Sequence, residues 1–266
     1  LGTTFPEMVV SVLSAWQGKP AIALGNAIGS IICDTGLILG LATIIGPIPL
    51  RRRLVTRSVN LQFLSVALLI IACLPFSGEL NFWQRTGIMT QYEGFFFLAL
   101  LIFYIFYQLR SGKNSNEVDE ETQNAPKAGY KTIFILLFCG LALATASEGL
   151  ILGSSEIARR LHVPESVIAV TIVAFGTSLP ELATALTAVA KKHGELALGN
   201  VLGADMLNVL LVAGAAAAFN PGGLRVEPSF LFNALPFLLA VIICLRLGIS
   251  FSKDKLGKFW GFSLLF

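Results

Sequence analysis

Glu7 and Glu181 each follow a proline inside an otherwise apolar run, in Gly2-Thr3-Thr4-Phe5-Pro6-Glu7 and Gly176-Thr177-Ser178-Leu179-Pro180-Glu181. An acidic residue at the centre of a bilayer costs about 2.5–3.5 kcal/mol on insertion scales, so such residues mark ion pathways or proton relays. Proline removes a backbone donor and leaves a carbonyl one turn earlier without its helical partner. With glycine close by, both helices are expected to break at these points. A broken helix presents carbonyl oxygens, the hydroxyls of Thr3, Thr4, Thr177 and Ser178, and a carboxylate. An all-oxygen cage of that kind suits a hard cation such as Ca²⁺. The plainer reading is a neutral glutamate hydrogen-bonded between helices. It does not account for the same costly residue recurring in the same setting.

Each glutamate stands 19 residues before the asparagine of a Gly-Asn pair. In the first copy Asn26, Ser30 and Asp34 fall at i, i+4 and i+8, which on a helix is one polar stripe. In the second copy Asn200 and Asn208 hold the matching positions, with Asp205 between them. Gly25…Gly29 and Gly199…Gly203 are also GxxxG pairs, a common helix-packing device. Packing alone explains neither Asp34 nor Asp205. Two aspartates facing two glutamates make a site of up to four negative charges. Their summed insertion cost, about 10 kcal/mol, requires a cation or protons to offset it.

These motifs belong to an internal repeat. At an offset of 174 residues, Gly2–Glu7 aligns with Gly176–Glu181, and Ala23-Leu24-Gly25-Asn26 aligns with Ala197-Leu198-Gly199-Asn200, without a gap. The chain has 266 residues, 55% hydrophobic and 13% charged, with a mean hydropathy of +0.77. A soluble domain carries about 25% charged residues, so lipid is the expected solvent and helices the expected spans. The apolar runs are continuous rather than alternating, which argues against a barrel. Full spans are expected near Ala21–Ile45, Val59–Phe76, Phe95–Tyr107, Thr132–Ile157, Ser166–Ala190, Ala197–Phe219 and Phe230–Leu247. Partial spans are expected over Leu1–Trp16 and from Phe259 onward, so both ends read as cut through transmembrane segments. Residues 111–131 are polar and acidic and read as a linker between a first repeat (1–110) and a second (132–266). Its acidic run Glu117-Val118-Asp119-Glu120-Glu121 reads as a solvated tether rather than a Ca²⁺ site.

If the loop of Arg51, Arg52, Arg53 and Arg57 is cytoplasmic and each span reverses direction, 14 of the 19 basic residues fall on that side. This is the positive-inside signal. It places the linker in the cytoplasm and gives the two acidic helices opposite directions. Inverted repeats are a design of secondary transporters, which bind their substrates near the midplane at the repeat interface. The four cysteines lie far apart in apolar runs and read as packing residues. Glu148 and Glu156 are expected at a solvated helix end, and His162 and His193 in surface loops. No HExxH motif occurs and no Ser–His pair can meet at depth, which argues against an intramembrane enzyme. The small net charge of +3 gives no reason to expect a nucleic-acid partner.

The segments GTTFPE…GNAIGS and TIVAFGTSLPE…GNVLGAD resemble the paired alpha-repeats of the sodium/calcium exchanger superfamily, particularly its prokaryotic members. The resemblance covers essentially the whole chain. It implies an all-α polytopic membrane protein of two inverted repeats of about five helices each, ten in the full family. It also implies a cytoplasmic-membrane antiporter that exchanges Ca²⁺ for Na⁺ by alternating access. It is then not an enzyme, and it needs lipid around it and no cofactor beyond the transported ions. Carried over, Glu7 and Glu181 are the central ligands, with Thr3, Thr4, Thr177 and Ser178 completing the cage. Two departures stand out. The family's Asn in the first repeat and Asp in the second are exchanged here, as Asp34 and Asn208. Asp205 replaces a frequent Asn, with Ala204 in place of Ser, and Ile31 is its counterpart in the first repeat. Relocated carboxylates in a low-dielectric site bind protons readily, so an H⁺/Ca²⁺ antiporter of the same superfamily is the competing expectation. A passive cation channel is a more distant one.

Overall fold

The computed structural model describes residues 3–75, 86–114, 159–163 and 165–266, together with scattered positions between 134 and 157. Helix α1 is Phe5–Trp16. Helix α2 runs through Pro20–Ile32, a π-helical turn Cys33–Ile38, and Leu39–Ile45. After the short strand β1 (Ile48–Pro49) comes α3 (Arg52–Cys73). Strand β2 (Gly87–Met89) leads into α4 (Gln91–Asn114). Helix α5 consists of Glu165–Ile168, a π turn Ala169–Val173, and Ala174–Thr177. Helix α6 is Leu179–Ala190, and α7 is Gly194–Leu207, a π turn Asn208–Ala213, and Gly214–Ala218. Strand β3 (Leu224–Val226), α8 (Pro228–Phe251), β4 (Lys255–Leu256) and α9 (Lys258–Leu265) close the chain.

Four of these helices are long and apolar enough to cross a membrane: Pro20–Ile45, Leu54–Cys73, Gly194–Ala218 and Phe230–Phe251. The pair Thr171–Thr177 and Leu179–Ala190, bent by 52°, makes a fifth when taken together as one broken span. They match the expected spans near Ala21–Ile45, Val59–Phe76, Ala197–Phe219, Phe230–Leu247 and Ser166–Ala190. The apolar run Phe95–Tyr107 is the middle of the longer α4, which continues through Ser111–Asn114, into the stretch expected to be linker. The rest of the linker, Glu148 and most of Thr132–Ile157 lie outside the described residues. The described residues do not by themselves reach ten spans.

The distribution of polarity is that of a membrane protein. Large apolar side chains such as Phe103, Phe106, Phe237 and Phe259 are exposed, whereas Glu7, Asn26, Asp34, Glu181 and Asp205 are buried. The two helices that follow the acidic motifs are central. Most residues of α7 are buried inside the protein, whereas most of those of α3 are not.

Contacts at the two ends fix the helix directions. At one end β1 pairs antiparallel with β4, and Arg52 donates to the carbonyls of Ser252 (2.9 Å) and Lys253 (2.9 Å). Arg51 pairs with Glu195 at 2.7 Å. The basic loops of α3, α7 and α9 therefore share one end. At the other end β2 pairs with β3, and the Trp16 indole donates to the Phe219 carbonyl at 2.7 Å. Helix α1 thus ends away from the basic end. Helix α6 ends at Ala190, beside the α7 start at that basic end. The two acidic helices run in opposite directions, as the charge count requires. They also obey the sequence offset, since Phe5–Trp16 and Leu179–Ala190 correspond end to end.

Small residues let the helices approach closely. A Cβ on Gly94 of α4 would lie 2.3 Å from the Ala218 nitrogen and 2.7 Å from the Gly214 carbonyl of α7. Gly261 of α9 similarly faces the Gly40 carbonyl of α2, at 2.8 Å from a built Cβ. Gly94→Val is expected to push α4 off α7 and destabilise the protein by about 1–3 kcal/mol, the usual range for overpacking. A lower melting temperature in detergent checks this, and an unchanged one contradicts it.

Candidate ion-binding site

The break that positions Glu181 lies at Ser178. Pro180, in the first turn of α6, has no N–H to give to the Gly176 carbonyl, so the helical ladder cannot continue across it. Pro6 occupies the same place in the first turn of α1. Neither helix start has a side-chain cap, and the hydroxyls of Thr4 and Ser178 are buried without a hydrogen-bond partner. Both acidic residues therefore sit in the first turn of a helix whose free amides and hydroxyls point into the protein.

The two repeats interlock here. Thr177 of the second repeat lies beside Glu7 of the first, and half-buried Thr3 of the first lies beside Glu181 of the second. Neither Glu181 oxygen has a well-formed hydrogen bond. Asn26, fully buried, ties the cluster together. Its amide nitrogen donates to the Glu7 carbonyl (3.1 Å) and to Ser11 Oγ (3.0 Å), and its oxygen accepts from Thr177 Oγ1 (3.2 Å). Ser30 Oγ lies 3.4 Å from the same Thr177 hydroxyl.

Asp34 continues the stripe of Asn26 and Ser30, but from inside the π turn of α2. It lies beside Ser178, and both of its oxygens are buried without a partner. Asn208 opens the π turn of α7, and its Oδ1 is also unpartnered. Such π turns frequently occur at functional sites. Asp205 is held differently. Its Oδ2 accepts short hydrogen bonds from Thr35 Oγ1 and Gln62 Nε2, which leaves Oδ1 unpartnered. Asn200 departs from its counterpart Asn26. It is half-exposed and donates to Thr184 Oγ1 (3.0 Å), which donates in turn to the Glu181 carbonyl (3.0 Å).

Among the described residues, ten side-chain oxygens on Thr4, Glu7, Asp34, Gln62, Ser178, Glu181, Asp205 and Asn208 are buried with no hydrogen-bond partner. A buried carboxylate is retained only when something compensates its lost hydration. The four carboxyl groups also act on one another: Glu7 feels the charge of Glu181, and Asp34 feels that of Asp205, Glu181 and Glu7. No three Asp, Glu, His or Cys side chains converge on one point among the described residues. An ion in this space would therefore complete its coordination with hydroxyl, amide and carbonyl oxygens. The GxxxG face of α7 does not act as a packing seam there, because a Cβ on Gly199 or Gly203 would meet nothing within 4 Å among the described residues.

Comparison with known proteins places this site in context. The sequence profile described as sodium/calcium exchanger protein matches residues 1–110 and 131–266. The chain is 32% identical to an uncharacterised membrane protein of Methanocaldococcus jannaschii, over 100% of this chain and 80% of the relative. It is 28% identical to the sodium/calcium exchanger MaX1 of Methanosarcina acetivorans, over 94% and 79% of the two chains. A solved structure of the sodium-calcium exchanger NCX_Mj, soaked with Na⁺ and Sr²⁺, superposes with a TM-score of 0.75 at 29% identity. The match covers 99% of this chain and 80% of that one.

Sequence reasoning did not single out Ser11, Thr35, Gln62 or Thr184. Gln62 carried a readable signal, an amide inside an apolar span; Thr35, next to Asp34, carried a weaker one. The unequal surroundings of the two asparagines yield a prediction. Asn26→Ala strands several buried groups and is expected to lower stability by about 1–3 kcal/mol, the cost of an unsatisfied buried polar group. Asn200→Ala, at a half-exposed position, is expected to cost clearly less. Melting temperatures of the two variants decide this, and equal losses would contradict the asymmetry.

Proposed function

The chain belongs to the sodium/calcium exchanger family, and from that membership we propose that it exchanges Ca²⁺ for Na⁺ by alternating access at the Glu7–Glu181 site. The membership itself makes it an integral membrane cation/calcium antiporter. The observation that carries the finer reading is the pair of buried glutamates, each in the first turn of a proline-led helix beside a threonine of the opposite repeat.

Ca²⁺ takes six to eight oxygen ligands. The carboxylates of Glu7, Glu181 and Asp34, the hydroxyls of Thr3, Thr4, Thr177, Ser178 and Ser30, and the amide oxygens of Asn26 and Asn208 offer ten side chains from which such a shell can be drawn. Binding either Ca²⁺ or several Na⁺ ions offsets the charge of the site and lets the two repeats rock against each other. A site holding its full negative charge resists the dry intermediate between the inward- and outward-facing states. The basic end of the bundle faces the cytoplasm of a prokaryotic cell. Protons are the second coupling ion to consider, because Asp34 and Asp205 add two carboxyl groups where the family pattern has Asn.

Glu7→Gln and Glu181→Gln keep the size of the side chain and remove the charge. Each is expected to reduce ⁴⁵Ca²⁺ exchange in proteoliposomes by at least about 100-fold, the upper end of losses on perturbing a metal site, while the folded protein is retained in detergent. Normal exchange by either variant would sink the proposal.

A further inference from the structure

Gln62 lies outside both acidic motifs, on α3, and is fully buried in an apolar span. Its Nε2 donates to Thr35 Oγ1 (3.2 Å) and to Asp205 Oδ2, and Thr35 donates to the same carboxylate oxygen. The three side chains close a ring that links α2 and α3 of the first repeat to α7 of the second. Thr35 follows Asp34 inside the π turn of α2, and Asp205 lies one turn before Asn208 on α7. The ring thus sits directly behind the residues at which this chain exchanges the family's Asn and Asp.

The repeat supplies an internal control. Asp205 and Thr35 correspond at the 174-residue offset to Ile31 and Val209, and Gln62, counted from the start of its helix, corresponds to Leu238. Those three are also fully buried, and all are apolar. The fold therefore accommodates hydrocarbon at this place, and the polar ring exists on one side only. A buried amide in a span is costly unless its hydrogen bonds are used; here its N–H groups are used on Thr35 and on the carboxylate of the opposite repeat, while its Oε1 is left without a partner.

We propose that Gln62 is a positioning residue: with Thr35 it pins Asp205 across the repeat interface, and so holds Asp34 and Asn208 in the geometry that binds Ca²⁺. The proposal rests on the exchange reading of the site and assigns Asp205 the part of a joint, acting through its neighbours rather than by seizing the ion with both oxygens.

A double-mutant cycle tests it on the purified full chain, using the Ca²⁺ concentration that half-maximally raises the melting temperature. Gln62→Leu is expected to raise that concentration roughly 10–100-fold, the range seen when a group supporting a metal ligand is removed. In an Asp205→Leu background, which removes the acceptor, the same substitution is expected to add no further shift. If Gln62→Leu does not fold, Gln62→Met, closer in length, takes its place in the cycle. A shift of equal size in both backgrounds overturns the proposal. So does a variant that loses melting temperature without losing Ca²⁺ affinity, which is what mere packing would give. A wild-type protein whose melting temperature ignores Ca²⁺ overturns the exchange reading itself, and that result is separate from any pattern among the variants.

Discussion

Four carboxyl groups buried among apolar helices, with no side-chain cation paired to them among the described residues, are the constraint on which the structure depends. Water is not available to compensate charge at that depth, and an isolated ionised group there is untenable. Each local irregularity serves this need. The helix break at Ser178 and the proline-led start of α1 turn amides and hydroxyls toward the acids. The π turns of α2 and α7 bring Asp34 and Asn208 into the same region. Close glycine contacts such as Gly94 on α7 and Gly261 on α2 keep the frame rigid around it.

The duplicated architecture lets each repeat complete the other's site. Thr177 stands by Glu7 and Thr3 by Glu181, so neither glutamate is served by its own motif alone. The two halves have nevertheless diverged. Asn26 is sealed inside a hydrogen-bonded cluster, while Asn200 is half-exposed, beside Gly199 and Gly203, which meet nothing among the described residues. The ring of Thr35, Gln62 and Asp205 has an apolar twin in Ile31, Val209 and Leu238. A symmetric pair of repeats would make the two faces of the transporter equivalent; these differences make them distinguishable in energy.

Much of this was legible in the sequence, for physical reasons. Glutamate after proline in an apolar run is so costly that its recurrence points to the buried acidic cluster, and the 174-residue offset holds to the residue for the two helices. Basic-residue counting gave the opposed directions that the contacts at Trp16 and Arg52 bear out. What stayed hidden depended on three-dimensional placement. The i, i+4, i+8 stripe of Asn26, Ser30 and Asp34 implies a straight helix, and no local sequence signal announces the π turn that starts at Cys33. Gly199 and Gly203 share the GxxxG spacing of Gly25 and Gly29, yet spacing does not say whether another helix lies opposite. Asn200 matches Asn26 in position, but its exposure depends on neighbours that differ between the repeats. Gln62 is unremarked by any motif because its partners come from two other helices.

Carriage of Ca²⁺ by the buried carboxylates, in exchange for Na⁺, is the central claim. The most direct test is ⁴⁵Ca²⁺ uptake into proteoliposomes containing the wild-type protein, with an outward Na⁺ gradient imposed and then with a pH gradient alone. Uptake that follows the Na⁺ gradient and ignores the pH gradient is the predicted result. Uptake driven by the pH gradient and indifferent to Na⁺ would contradict it, and would make Asp34 and Asp205 the proton-coupling groups of an H⁺/Ca²⁺ antiporter.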